Sequence, residues 1–254
     1  MADKLLVLGG TGFIGSEVAR IATEEGHSVV AVARSGRPAG TDAWLDRVEW
    51  VRGNALRPED WRDHLDGCKA VLHCIGIVRE NPSEGITFER VNGDSVEMAA
   101  FEAERAGVER FVLLSASQAP PFVSDRYLEA KRRGEQALQR SPMRHFILRP
   151  TFVYGPHRSL SLLPGLALQA AARLPGVGRP ALRVEQVATA AVRCATDLDY
   201  EGVVSSENIA YLADGLWSEY RSPVLTRGAL QPYLIGGAAL GAAAGIAVAL
   251  GRRS

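Results

Sequence analysis

The chain has 254 residues, no formal net charge and only three cysteines. That length holds one large α/β domain, or a domain with a small lobe, and buries a full core without disulfides. A neutral balance gives no electrostatic case for nucleic acid, and Cys68, Cys74 and Cys194 make no paired framework, which fits a reducing compartment.

An apolar run at 4–8 reads as a buried strand. It starts almost at the first residue, so we expect no secretory signal or transit peptide and a domain facing the cytosol or an equivalent matrix. Gly9, Gly10, Thr11, Gly12, Phe13, Ile14 and Gly15 follow, and a helix pattern runs over 13–25. Strand, glycine turn and helix in that order form a dinucleotide-binding signature. Gly9 permits the turn, Gly12 clears space where a pyrophosphate meets backbone, and Gly15 lets the helix approach the strand. The helix N-terminus adds unpaired N–H groups and partial positive charge. A second strand, 28–33, ends VVAVARSGR. Where NAD-specific proteins carry an acid, about 20–25 residues past the turn, this chain has Arg34 and Arg37, which favours NADP and leaves NAD possible. Two solvated loop arginines would read the same way.

Strands are predicted at 48–52 and 69–75, with helices at 59–65 and 87–106. His64, Cys68, His73 and Cys74 cluster in sequence, but their spacing suits no common zinc site, so no metal is expected. Strand 110–114 is followed by Ser115 and Ser117, where a fifth parallel strand opens into the crevice; serine capping is the competing reading. Helix 124–140 begins at Ser124, a candidate cap, with Asp125 in its first turn. Tyr127 and Lys131 stand four apart on one face of it. A nearby ammonium favours phenolate, so the pair suits proton transfer. Without the glycine turn it would read as a surface tyrosine beside the basic run Lys131, Arg132, Arg133.

After strand 144–149 the pattern loosens. Residues 151–184 carry Pro156, Pro164, Pro175 and Pro180, then a helix is predicted at 185–197 and a strand at 202–205. The expected fold is α/β: a doubly wound parallel sheet over 1–214, with a small substrate lobe mainly in 151–214. Residues 215–232 read as a linker. Residues 233–250 contain no charge and repeat glycine at 237, 241 and 245. They read as a membrane-anchoring helix at the short limit of a span, followed by a basic tail at 251–254; a buried Ala-rich helix or a flexible tail are the alternatives.

Taken together, GGTGFIG, GNA at 53–55, HCIG at 73–76, VNGDS at 91–95, SAS at 115–117, YLEAK with Gly134-Glu135, and RPTFVYGP at 149–156 resemble the extended and atypical short-chain dehydrogenase/reductases. The resemblance runs from residue 4 to about 210. It is strongest toward the atypical branch that includes the complex I nucleotide-binding accessory subunit and a fungal accessory protein of ubiquinone synthesis. It implies that Gly9, Gly12 and Gly15 cradle pyrophosphate and that Arg34 meets the adenosine end. Asn54 and Ala55 would lie near adenine, and Ile75 and Gly76 beneath the cofactor. Ser117 would orient substrate, Tyr127 would move the proton, and Lys131 would support tyrosine and ribose. Asn92 matches a family asparagine on the central helix. Gly134 costs ~1 kcal/mol in an ordinary helix, so a close backbone approach is expected there.

The resemblance also implies hydride transfer between nicotinamide and a carbonyl or alcohol of a small, apolar substrate, with a link to quinone or respiratory-complex metabolism. Some members of this branch have lost their active residues. The alternative is therefore a non-catalytic NADPH-binding protein that stabilises a membrane complex. Only nine residues separate Ser117 from Tyr127, and they include Pro120 and Pro121. A loop that short disfavours a sugar-nucleotide site.

Overall fold

A computed structural model describes residues 2–120, 123–155 and 181–214. Seven parallel strands form its main sheet in the order β3-β2-β1-β4-β5-β6-β9. They are β1 (Lys4–Leu8), β2 (Ser28–Ala33), β3 (Val48–Arg52), β4 (Ala70–His73), β5 (Arg110–Leu114), β6 (Arg144–Arg149) and β9 (Gly202–Ser205). Two short strands, β7 (Val153–Tyr154) and β8 (Leu182–Arg183), pair in parallel beside it. The order reverses between β1 and β4, and in open α/β sheets ligands bind outside the strand ends at such a reversal.

Alternation along β1 divides the core. Leu5 and Val7 face a layer containing α1 (Phe13–Glu24) and α4 (Val184–Thr196), with Val18, Val187 and Val192 among its buried residues. Leu6 and Leu8 face the opposite layer, built on α2 (Ser95–Arg105) and α3 (Arg126–Gln139). Near-continuous apolar strands result from burial on both sides. The last helix, α5 (Ser206–Ala213), packs into the first layer through Ile209 and Leu212; its cap Ser205 accepts from the Asn208 amide.

Several predicted elements end differently. The helix expected at 59–65 is two 3₁₀ turns, Pro58–Asp60 and Arg62–Leu65, separated at Trp61 (φ −147°, ψ −16°). Burying the Trp61 ring completely takes precedence over a continuous helix. The strand expected at 69–75 stops at His73, because the chain leaves the ladder after the Cys74 amide donates to the Leu8 carbonyl (2.9 Å). The helix expected at 87–106 starts as a π-helical turn, Glu89–Asp94, before α2. Ser124 lies one residue outside the helix cap; its hydroxyl accepts from the Arg126 amide at 3.3 Å.

Within the expected lobe, residues 156–180 lie outside the described residues, as do the linker 215–232, the run 233–250 and the tail 251–254. Among the described residues no helix is long and apolar enough to cross a membrane.

Candidate functional site

The glycine turn after β1 is built by close backbone approaches. Gly9 has φ +90°, and both its amide and that of Gly10 donate to the Val32 carbonyl (2.9 and 3.1 Å). A Cβ at Gly10 would come 2.7 Å from that of Ala31. At Gly12 it would meet the Gly9 carbonyl oxygen at 3.1 Å, and at Gly15 it would overlap that same oxygen. Thus α1 begins against the turn itself, and its first amides open toward the crevice. Ile14 packs into the α1/α4 layer, and Phe13 turns its ring toward Gly155.

A cleft of about 430 Å³ opens over this turn. Of the residues singled out in the sequence, Gly9, Thr11, Gly12, Arg34, Asn54, Ala55, Ile75 and Gly76 line it. Gly10, Phe13, Ile14, Gly15 and Asn92 support it from behind. The two arginines after β2 have different fates. Arg37 pairs with Asp46 at 2.5 Å, whereas Arg34 is exposed on the cleft with no side-chain ion pair or hydrogen bond among the described residues. Asn54 is held by its own amide donating to Asp60 (2.8 Å) and by its Oδ1 accepting from the Leu56 amide (3.1 Å). The side-chain N–H₂ is its remaining donor toward the cleft.

Glycine room, free helix amides and an unpaired cation are the donor set a dinucleotide phosphate requires, so the residues present fit that group.

On the far wall, buried Asn92 clamps the backbone leaving β4. Its Oδ1 accepts from the Ile77 amide (2.9 Å), and its Nδ2 donates to the Ile77 carbonyl (3.0 Å). The buried Lys131 ammonium donates to the Leu114 carbonyl (2.9 Å) and the Ile75 carbonyl (3.4 Å). A Cβ at Gly76 would come 3.0 Å from that nitrogen, so Gly76 is where the cleft floor meets Lys131. Burial lowers the Lys131 pKa to about 8, against the opposing pull of Glu135. Burial raises that of Tyr127, partly offset by the Arg132 charge. Tyr127 packs edge-on to Phe88 (5.8 Å, 81°) among Ala116 and Ala130. Ser117 closes the end of β5 onto β6: both its amide and its hydroxyl donate to the Pro150 carbonyl, at 3.0 and 3.2 Å.

Ser115 belongs to a different cluster, which sequence reasoning did not resolve. It donates to Glu135, a buried carboxylate that also accepts from Arg132 and from Arg149 (3.1 and 2.5 Å). Glu135 lies four residues past Lys131 on the face carrying Tyr127, a spacing that was available as a signal. The close approach expected at Gly134 is present: a Cβ there would meet the Asn92 carbonyl oxygen and Val96 at 3.0 Å. Also missed was the cleft wall formed by Glu84, Gly85, Ile86 and Arg90, which no motif marks. Cys74 lines the cleft as a thiol whose pKa burial pushes up to about 12.

Residues 9–197 match a family model described as NAD(P)H-binding. An uncharacterized chloroplastic protein of Arabidopsis thaliana is 32% identical over 82% of this chain and 76% of its own length. MIOREX complex component 2 of Saccharomyces cerevisiae is 24% identical over 82% of this chain and 99% of its own. Ceramide reductase of Caulobacter vibrioides is 34% identical over 66% of this chain and 51% of its own. Among solved structures, the Bordetella bronchiseptica enzyme WbmG in complex with NAD superposes with a TM-score of 0.61 at 19% identity, covering 90% of this chain and 83% of that one.

Proposed function

This chain belongs to the NAD(P)H-binding family as an atypical short-chain dehydrogenase/reductase, and on that premise we propose that it uses NADP(H) to reduce the carbonyl of an apolar substrate. The observation that carries the reading is the single face of α3: Tyr127 and Lys131 lie on it, and Lys131 reaches the underside of the cleft at Gly76. NADPH, when bound, would supply a hydride to the carbonyl carbon; Gly9, Gly12 and the first amides of α1 would hold its pyrophosphate and Arg34 its 2′-phosphate. Tyr127 keeps its proton at neutral pH, because burial raises its pKa, and gives it to the carbonyl oxygen as charge develops there. Arg132, whose charge already favours ionisation of Tyr127, and Lys131 one turn along the helix would stabilise the phenolate left behind. Ser117 would hold the same oxygen by turning its hydroxyl proton from the Pro150 carbonyl toward it.

The surroundings of Tyr127 support an apolar substrate. Phe88, Ala116 and Ala130 enclose it, with Ile77, Val123 and Leu128 packed around them. A relative named for ceramide reduction is consistent with that chemistry. The uncharged run 233–250, joined through 215–232, extends the reading to a membrane-tethered enzyme acting on a membrane-borne carbonyl or quinone.

A second reading is a dinucleotide-loaded protein that stabilises a membrane complex. The Lys131 ammonium hydrogen-bonds two backbone carbonyls, a structural task in its own right, and a relative named as a complex component aligns over nearly its whole length. The full chain is purified and assayed for bound dinucleotide, then NADPH absorbance is followed with a panel of quinones and carbonyls. Turnover that Tyr127→Phe lowers by about 10²-fold or more supports the enzyme. Tight NADPH retention with no turnover supports the stabilising protein. No affinity for either nicotinamide dinucleotide overturns both.

A further inference from the structure

Between Ile77 and the π-helical turn, the chain makes a small closed loop. Asn81 and Ile86 exchange backbone hydrogen bonds of 2.8 and 3.0 Å around the 3₁₀ turn Pro82–Glu84, and Gly85 takes φ +68°. Its two ends are thereby joined backbone to backbone. Its tip, Glu84 to Ile86, walls the cleft, and Arg90 donates to the Gly85 carbonyl at 3.1 Å. Each root of the loop carries a carboxylate, Glu80 at the entry and Glu89 at the exit. Both meet one guanidinium: Arg126 donates to Glu80 at 3.2 Å and to Glu89 at 3.1 and 2.7 Å. The other Glu80 oxygen accepts from the Phe88 amide at 2.8 Å. Arg126 is the first residue of α3, adjacent to Tyr127.

We propose that Arg126 is a positioning residue for the bound dinucleotide, acting through Glu80 and Glu89 to latch this loop to the helix that carries Tyr127 and Lys131. The inference rests on the dinucleotide reading above. A ligand in the cleft leaves when the loop tip lifts away from it. A guanidinium bridging both roots opposes that movement without touching the ligand, so it acts on the rate of release. Arg126 is more than half exposed, which makes the latch sensitive to salt. Its three donors in a fixed plane reach both carboxylates at once, and a lysine ammonium cannot reproduce that fork.

The test uses the full chain with NADPH as probe, measuring release by stopped-flow fluorescence after mixing with excess NADP⁺. Arg126→Ala is expected to release NADPH about three- to tenfold faster, with association unchanged; Arg126→Lys is expected to fall between it and the wild type. High salt should bring the wild-type rate toward that of Arg126→Ala and change the variant less. Arg105→Ala, at an exposed arginine stacked on Phe101, should behave as wild type. Equal release rates in wild type and Arg126→Ala, or an equal salt response in both, overturn the proposal. Should Arg126→Ala fail to fold, Glu89→Gln removes one root contact and is expected to shift release in the same direction, with no shift overturning the proposal. If the wild type binds no NADPH, the dinucleotide reading fails. The latch is then read from amide hydrogen exchange at Asn81 and Ile86, which Arg126→Ala accelerates if the latch exists and leaves unchanged if it does not.

Discussion

At the level of single residues, the contrast between two neighbouring arginines carries the cofactor argument. Arg37 pairs with Asp46 and is not among the residues lining the cleft. Arg34 stands on the cleft without a carboxylate partner among the described residues, and a 2′-phosphate offers it charge-assisted hydrogen bonds. Such bonds are worth about 1.5–3 kcal/mol each, so Arg34→Ala is expected to weaken NADPH binding by about ten- to hundredfold. NADH has no 2′-phosphate, and its affinity should stay within about twofold of wild type. Isothermal titration with both dinucleotides measures the difference. Equal losses for the two would mean that Arg34 does not distinguish them.

At the level of elements, α3 is the organiser. Tyr127, Lys131 and Glu135 recur every four residues along one face, so the helix presents a phenol, an ammonium and a carboxylate to the ends of three strands. Glu135 is the anchor: it holds Arg149 of β6 and the Ser115 hydroxyl just past β5, while Arg132 bridges it to the Ala116 carbonyl (2.9 Å). Glu135→Gln removes the one negative charge in this cluster among the described residues and leaves Arg132 and Arg149 without a carboxylate between them. Breaking an enclosed ion pair costs about 3–5 kcal/mol. Both guanidiniums here reach solvent, so urea denaturation is expected to show a loss of about 2–3 kcal/mol, with little loss for Glu135→Asp if the shorter acid still reaches Arg149. The helix and the seven strands of the main sheet are legible in the sequence, because burial on two faces leaves apolar runs in most of the strands and α3 keeps its helical period. The Glu135 cluster is not, since only Arg132 is local to it, and Arg149 and Ser115 lie 14 and 20 residues away outside the helix. The π-helical turn is equally hidden: Gly134 of α3 packs against its Asn92 and against Val96, a contact that no local pattern encodes. Glycine spacing, by contrast, announces the turn after β1, because every contact that demands glycine there is made within a few residues or with a neighbouring strand.

For the molecule as a whole, acid stability turns on a histidine in the middle of the sheet. His73 is fully buried, stacked on Phe111 (6.3 Å), with Nε2 against the Ser95 hydroxyl at 3.0 Å and no hydrogen bond to Nδ1 among the described residues. Burial, helped by the Lys131 charge, lowers its pKa to about 3. An unfolded histidine takes up a proton near pH ~6.5, so between that value and about 3 the unfolded state binds more protons than the folded one. Stability from this group is therefore intact above pH ~6.5 and falls by about 1.4 kcal/mol per unit as pH drops through the window. Thermal melts across that range should fall more steeply for wild type than for His73→Leu; parallel curves would remove His73 from the account. The layering has a consequence for synthesis. One side of β1 and α1 is covered by α4, whose residues are translated long after them. At about 5–20 residues per second, the interval between completing α1 and completing α4 is roughly 10–35 s. Throughout it, a ribosome-bound chain leaves Val7, Val18 and their neighbours without that cover, which arrives only when Thr196 has emerged.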